Sequence, residues 1–224
     1  MMNKVNRFER KWIYKSRNYL SLINCLIRSK LFFMPQHPKR NVNSIYFDSL
    51  DYSSIKQNLD GVSNKKKVRI RWYDEEKKLL NPLLEIKSKK GSETKKMSIK
   101  INDLNNLKFP NQNNLEIIKS VINNKIKNKK TIYPLLSTHY DREYFISNNG
   151  MIRATVDYNL KSIFLKNNSQ LNLVKNFSFV TILELKYLTK MDKYVRENLK
   201  EITLRLSKNS KFVNSAFETP KFYS

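Results

Sequence analysis

The sequence predicts an α+β fold in which antiparallel strands present one polar, cation-rich face and amphipathic helices cover the other. Three observations support this. KVRIRWY (67 to 73) sets Lys67, Arg69, Arg71 and Tyr73 against Val68, Ile70 and Trp72, and a strand directs successive side chains to opposite faces. The same alternation recurs along the chain, which solvation of one isolated strand does not require. Other stretches place apolar residues at helical spacing. With 40% hydrophobic residues, 12 Tyr, 12 Phe and 2 Trp among 224 residues, the chain can bury a core, and it reads as one domain over residues 1 to 224 without internal repeats.

In order, VNRFERKWIY (5 to 14) alternates Arg7, Glu9 and Lys11 against Phe8, Trp12 and Tyr14, with Arg10 out of pattern. It predicts a strand with both charge signs on one face. SRNYLSLINCLIRSKL (16 to 31) carries Leu20, Ile23, Ile27 and Leu31 at helical spacing behind a Ser16 cap. NSIYFDS (43 to 49) reads as a short strand, and SLDYSSIKQNLDG (49 to 61) as a short helix closed by Gly61. KKKVRIRWYD (65 to 74) and LLEIKSKKG (83 to 91) read as a hairpin, the second strand setting Glu85, Lys87 and Lys89 against Leu84 and Ile86. Residues 103 to 130 read as two helices followed by the basic turn KIKNKK. STHYDREYFIS (137 to 147) and MIRATVDYNL (151 to 160) flank an NNG turn, and FVTILELKYL (179 to 188) sets Glu184 and Lys186 against Leu183 and Leu185. An amphipathic helix is expected near 190 to 206.

Lys and Arg number 44 against 19 Asp and Glu, a formal charge of +25. Such a chain repels itself unless polyanions are near, which directs attention to nucleic acid, anionic lipid, nucleotide or polyphosphate. The single Cys25 lies in an apolar helical stretch and is expected to be a buried structural thiol. Charged residues interrupt the N-terminus before a signal peptide can develop, and no window reaches the length of a membrane span. A reducing, cytoplasmic setting is expected.

The alternating strands carry Arg7, Lys11, Arg69, Arg71, Lys87, Arg142, Arg153 and Lys186 on polar faces, with Glu9, Glu85, Asp157 and Glu184 among them. Periodicity does not decide between an open sheet with a wet face and a closed one with a charged interior. General RNA binding would explain the charge but not the Glu and Lys pairs of LEIK and LELK, so no specific nucleic acid is expected.

Taken in order, RFERKW, NSIYFDS, KVRIRWY, LLEIKSK, YDREYF, IRATVD, LELKY and SKNSKFV resemble the polyphosphate polymerase domain of the vacuolar transporter chaperone (VTC) family, within the triphosphate tunnel metalloenzymes (CYTH-like). The resemblance covers residues 5 to 215. It implies an eight-stranded antiparallel β-barrel tunnel flanked by helices, in which the terminal phosphate of ATP passes to a growing inorganic polyphosphate chain. By motif, Arg69, Arg71, Lys87, Arg142, Arg153 and Lys186 would surround the reacting phosphates. Arg7, Lys11, Tyr140, Lys208, Ser210 and Lys211 would bind substrate, with Lys95 or Lys96 as a further contact. Glu184, with Glu9 and Glu85, would hold Mn²⁺ or Mg²⁺. Arg7-x-Glu9-x-Lys11 departs from the superfamily's ExExK signature at its first acid, which removes one metal ligand. The resemblance leaves two alternatives, a triphosphate or short-polyphosphate hydrolase and a non-catalytic polyphosphate- or nucleotide-binding module. The charge outside these motifs suits exiting polyphosphate, an anionic membrane surface or a membrane partner.

The chemistry suits these residue types. Phosphoryl transfer spreads negative charge over three equatorial oxygens, so fixed cations and a divalent metal supply most of the stabilisation. Arginine grips two oxygens at once and stays protonated, whereas lysine acts as a point charge. His37 and His139 read as incidental.

Overall fold

A computed structural model of the chain describes residues 7–15, 18–91, 93–109, 112–126, 130–165, 174–177, 179–200, 202, 206–207, 211 and 215. Among the described residues nine strands and four helices follow one another as β1 (Arg7–Lys15), α1 (Tyr19–Arg28), β2 (Met34–Asp48), α2 (Ser53–Leu59), β3 (Lys65–Tyr73), β4 (Leu83–Lys90), β5 (Glu93–Lys100), α3 (Gln112–Ile126), β6 (Tyr133–Ile146), β7 (Arg153–Phe164), β8 (Val174–Phe177), β9 (Val180–Leu188) and α4 (Asp192–Asn198). Eight strands pair in the order β1-β9-β7-β6-β2-β3-β4-β5, with β8 on β7. The fold is α+β with an eight-strand antiparallel path, as the motifs imply.

The departures from the sequence reading have local causes. Asn18, not Ser16, caps α1: its side chain accepts from the Ser21 amide at 3.2 Å. The buried stripe of α1 is Leu22, Ile23 and Leu26, so Leu20 and Ile27 point outward. Cys25 lies beside that stripe and is exposed, which corrects the expectation of a buried thiol. β2 begins nine residues earlier than the short strand expected. Its first half contains Pro35 and Pro38 and lies beyond the Val42–Phe47 register with β3, where a missing backbone donor costs no ladder bond with that neighbour. Among the described residues between 103 and 130 there is one 15-residue helix, α3, after a single 3₁₀ turn, rather than two helices. α4 ends at Asn198, well short of 206.

The chain divides into two compact units: Met1–Arg40, Tyr140–Leu160 and Asn176–Asn209 form the first, and Asn41–His139, Lys161–Lys175 and Ser210–Ser224 the second. The first unit packs the apolar face of β1, β7 and β9 (Trp12, Val156, Leu183, Leu185) on α1 through Leu22, Ile23 and Leu26, and on Val195 of α4. Arg10, out of pattern in the sequence, falls on this apolar face. Its guanidinium reaches Asp192 Oδ1 at 2.5 Å, where Tyr187 also donates at 2.8 Å.

In the second unit Ile45, Phe47, Val68, Ile70, Trp72 and Leu84 pack on Ile118 and Ile122 of α3. Trp72 Nε1 donates to the Glu75 carbonyl at 2.6 Å, so the indole is buried with its polar atom satisfied. His139 belongs to this core: Nδ1 meets Asn43 at 2.8 Å and Nε2 meets Ser137 at 3.0 Å. Burial drives its pKa down to about 4, with Glu76 opposing, so it is a neutral structural group. Among the described residues no helix is long and apolar enough to cross a membrane.

Candidate functional site

In the first unit, register gathers the charges. β1 and β9 place Glu9 opposite Lys186 and Lys11 opposite Glu184; β7 and β9 place Arg153 opposite Lys186. Directly opposed residues share a face, so these five side chains stand together, with Arg7 further along the same face and exposed. Lys11 Nζ bridges Glu9 Oε1 at 2.8 Å and Glu184 Oε2 at 3.2 Å, while Lys186 reaches Glu184 Oε1 at 2.5 Å. Burial pushes the Glu184 carboxyl up, but Lys11, Lys186 and Arg142 together hold it at about 2. Burial opposes the charge on Lys11 as well, yet Glu184 and Glu9 raise its pKa. Arg142 donates to Asp157 from Nε at 2.6 Å and Nη2 at 2.8 Å, a fork that fixes the guanidinium plane. Its guanidinium carbon lies 5.4 Å from the ring centre of Tyr140, which is buried.

In the second unit, β3, β4 and β5 bring Lys67, Lys87 and Lys96 into one row, and Lys65 opposite Lys89. Like charges directly opposed across a ladder are unfavourable. Lys95 pairs with Ser88 on the other face, so Lys96 is the lysine that shares a face with the arginines. Glu85 sits among these cations. Arg69 Nε and Nη2 contact its Oε2 at 2.7 and 2.6 Å, and Lys96 contacts its Oε1 at 2.6 Å. Arg71 Nε lies 3.7 Å from Glu85 Oε2 and is buried without a hydrogen-bond partner among the described residues.

Burial raises the Glu85 carboxyl, but Arg69, Arg71 and Lys96 outweigh it and set the pKa at about 2, against 4.5 ordinarily. A carboxyl held low contributes stability that is complete above its unfolded value and lost as pH falls through the folded one. Glu85 therefore contributes about 3 kcal/mol at neutral pH, lost between about pH 4.5 and 2. Urea titrations of the protein and Glu85→Gln should differ at pH 6 and converge near pH 2; a constant difference would refute this.

Sequence reasoning missed Tyr46. Its signal was present, since Ser44 and Tyr46 alternate with Ile45 and Phe47 in NSIYFDS. Arg69 Nη1 donates to the Tyr46 hydroxyl at 3.1 Å. Burial disfavours the phenolate, but Arg69, Arg71 and Lys211 lower the Tyr46 pKa to about 8. A tyrosinate absorbance titration should show a transition near pH 8 that Tyr46→Phe removes. Tripolyphosphate should move that transition upward by neutralising the arginines; an unmoved transition would separate Tyr46 from any phosphate site.

Of the remaining expected contacts, Lys211 is half-buried, whereas Lys208 and Ser210 lie outside the described residues. Among the described residues no group of three or more acid, imidazole or thiol side chains is gathered where it could hold a metal ion. Glu9 and Glu184 nevertheless converge on Lys11. Two carboxylates completed by substrate phosphate oxygens are a donor set that suits a hard divalent cation. Glu85 is instead taken up by Arg69 and Lys96.

Comparison with solved structures recovers the same fold. A candidate adenylate cyclase from Vibrio parahaemolyticus is 14% identical, with 93% of this chain and 98% of that one covered at a TM-score of 0.51. A candidate adenylyl cyclase from Hippeastrum, described as having a dominant triphosphatase activity, is 16% identical over 96% and 98% at 0.56. A candidate adenylate cyclase from Bacillus halodurans is 14% identical over 94% and 96% at 0.56. No curated protein matches the sequence. The VTC domain family model matches residues 6–217, nearly the whole sequence, and the chain belongs to that family.

Proposed function

We propose that this protein is a polyphosphate polymerase that uses ATP. The observation that carries the reading is the row Lys67, Lys87 and Lys96, set directly opposite one another beside Arg69 and Arg71. A row of cations on one face beside two arginines suits an extended polyanion with regularly spaced charges. Membership of the VTC domain family supports the same substrate class.

In the reaction, an oxygen of the chain's terminal phosphate attacks the γ-phosphorus of ATP. The bond between that phosphorus and the β,γ-bridging oxygen breaks, ADP leaves, and the chain lengthens by one phosphate. Arg69, Arg71, Lys87 and Lys96 hold phosphate oxygens on one polar face, and Lys11, Arg142, Arg153 and Lys186 on the other unit's face. Glu85 and Asp157 orient arginines rather than touch phosphate. Glu184 and Glu9 would hold Mn²⁺ or Mg²⁺, which when bound neutralises charge on phosphate oxygens.

The triphosphatase description of the Hippeastrum neighbour favours a second reading, hydrolysis of a triphosphate by water on the same residues. Incubation with ATP and Mn²⁺ separates the two. A polyphosphate ladder on a gel supports the polymerase, and orthophosphate without a ladder supports the hydrolase. Tight polyphosphate binding with neither product would leave a binding module.

A further inference from the structure

We infer that the tip of the first unit, built from the end of α1, the α1–β2 connection and the β6–β7 turn, docks on an anionic lipid bilayer surface. The inference does not depend on the polymerase reading. The Asn148 amide donates to the Leu31 carbonyl at 3.2 Å, which ties the two turns together. Around that bond the apolar side chains face outward: Phe32 is 61% exposed, Met151 54%, Met34 49% and Ile27 43%. Phe33, between Phe32 and Met34, turns into the core.

Phe32 holds φ at +45°. A bulky residue in the left-handed region is strained, and here the strain serves to present an aromatic ring to solvent. Arg28 and Lys30 are exposed beside it. The tip's own segments, residues 27 to 34 and 147 to 152, hold Arg28 and Lys30 and no acid. Exposed apolar groups set among cations with no acid between them match an anionic interface, where side chains enter the headgroup boundary and cations meet lipid charge. The same charge opposes a second copy of this chain.

The test is flotation of the full chain with phosphatidylcholine vesicles, pure or containing phosphatidylserine at about a third of the lipid. Binding to the serine-containing vesicles alone is expected. Phe32→Gly removes the ring and relieves the backbone, so it should lower vesicle partitioning about tenfold without lowering the melting temperature. Arg28→Gln with Lys30→Gln should lower it roughly thirtyfold. Three outcomes would overturn the proposal. The first is absence of flotation. The second is flotation that Phe32→Gly leaves unchanged, which marks adsorption by overall charge. The third is a dimer that Phe32→Gly dissolves without vesicle binding, which marks a second copy on the tip. Because no outcome reads turnover, failure here is distinct from failure of the polymerase reading.

Discussion

Asp157→Ala lowers the folding free energy by about 3 to 5 kcal/mol, the effect of leaving a buried guanidinium without its counter-charge. Asp157 is 2% exposed and holds Arg142 through two short hydrogen bonds. Burial opposes the charge on Arg142 and Asp157 is the largest influence restoring it. With the carboxylate gone, the cation must draw in water or distort β6. Arg142→Met combined with Asp157→Leu should recover most of the loss, because a buried ion pair often contributes little net stability over apolar residues of similar size. Urea unfolding measures both. A loss below about 1 kcal/mol for the single change would mean that Arg142 reaches solvent readily, and its place as a fixed phosphate contact would fall with that.

Arg71→Ala should leave the fold intact, at the cost of the part of the Glu85 stabilisation that Arg71 supplies, and reduce turnover of ATP with Mn²⁺ by about 10² to 10³, the scale for removing one preorganised charge from a transition state. The two readouts separate because the Arg71 Nε has no hydrogen-bond partner among the described residues and its approach to Glu85 is 3.7 Å. Arg71→Lys should recover only part of the rate, since lysine keeps the charge and loses the fork. Glu184→Ala should also abolish turnover, with Lys186, half exposed, relaxing into solvent. Near-normal rates in Arg71→Ala or Glu184→Ala would contradict the assignment of these faces to phosphate.

The strands most legible in the sequence are those with one face buried. β1, β3, β4, β7 and β9 alternate because Trp12, Ile70, Leu84, Val156 and Leu183 must enter a core while their neighbours must not. β5 was invisible for the opposite reason: Met97 and Ile99, its apolar pair, remain 48% and 38% exposed, so little burial imposes a period. The choice between Lys95 and Lys96 needed a register, and register comes from pairing with β4 rather than from composition. Helical spacing marks an apolar arc without marking its edges, so Cys25 reads as buried in the sequence and is exposed in the fold. Alternation in NSIYFDS places Tyr46 on the polar face with Ser44, but its role appears only when the β2–β3 register sets Arg69 opposite it. The carboxylates were legible as residues but not as partners. Lys11 joins Glu9 to Glu184, whereas Glu85 stays with Arg69.

The central claim, that phosphate passes from ATP to a chain rather than to water, is tested most directly by following ATP labelled at its γ-phosphate with Mn²⁺. The polymerase predicts one label entering polyphosphate chains, resolved on a gel, for each ADP formed, with little labelled orthophosphate. Labelled orthophosphate equal to ADP, with no label in chains, would contradict it.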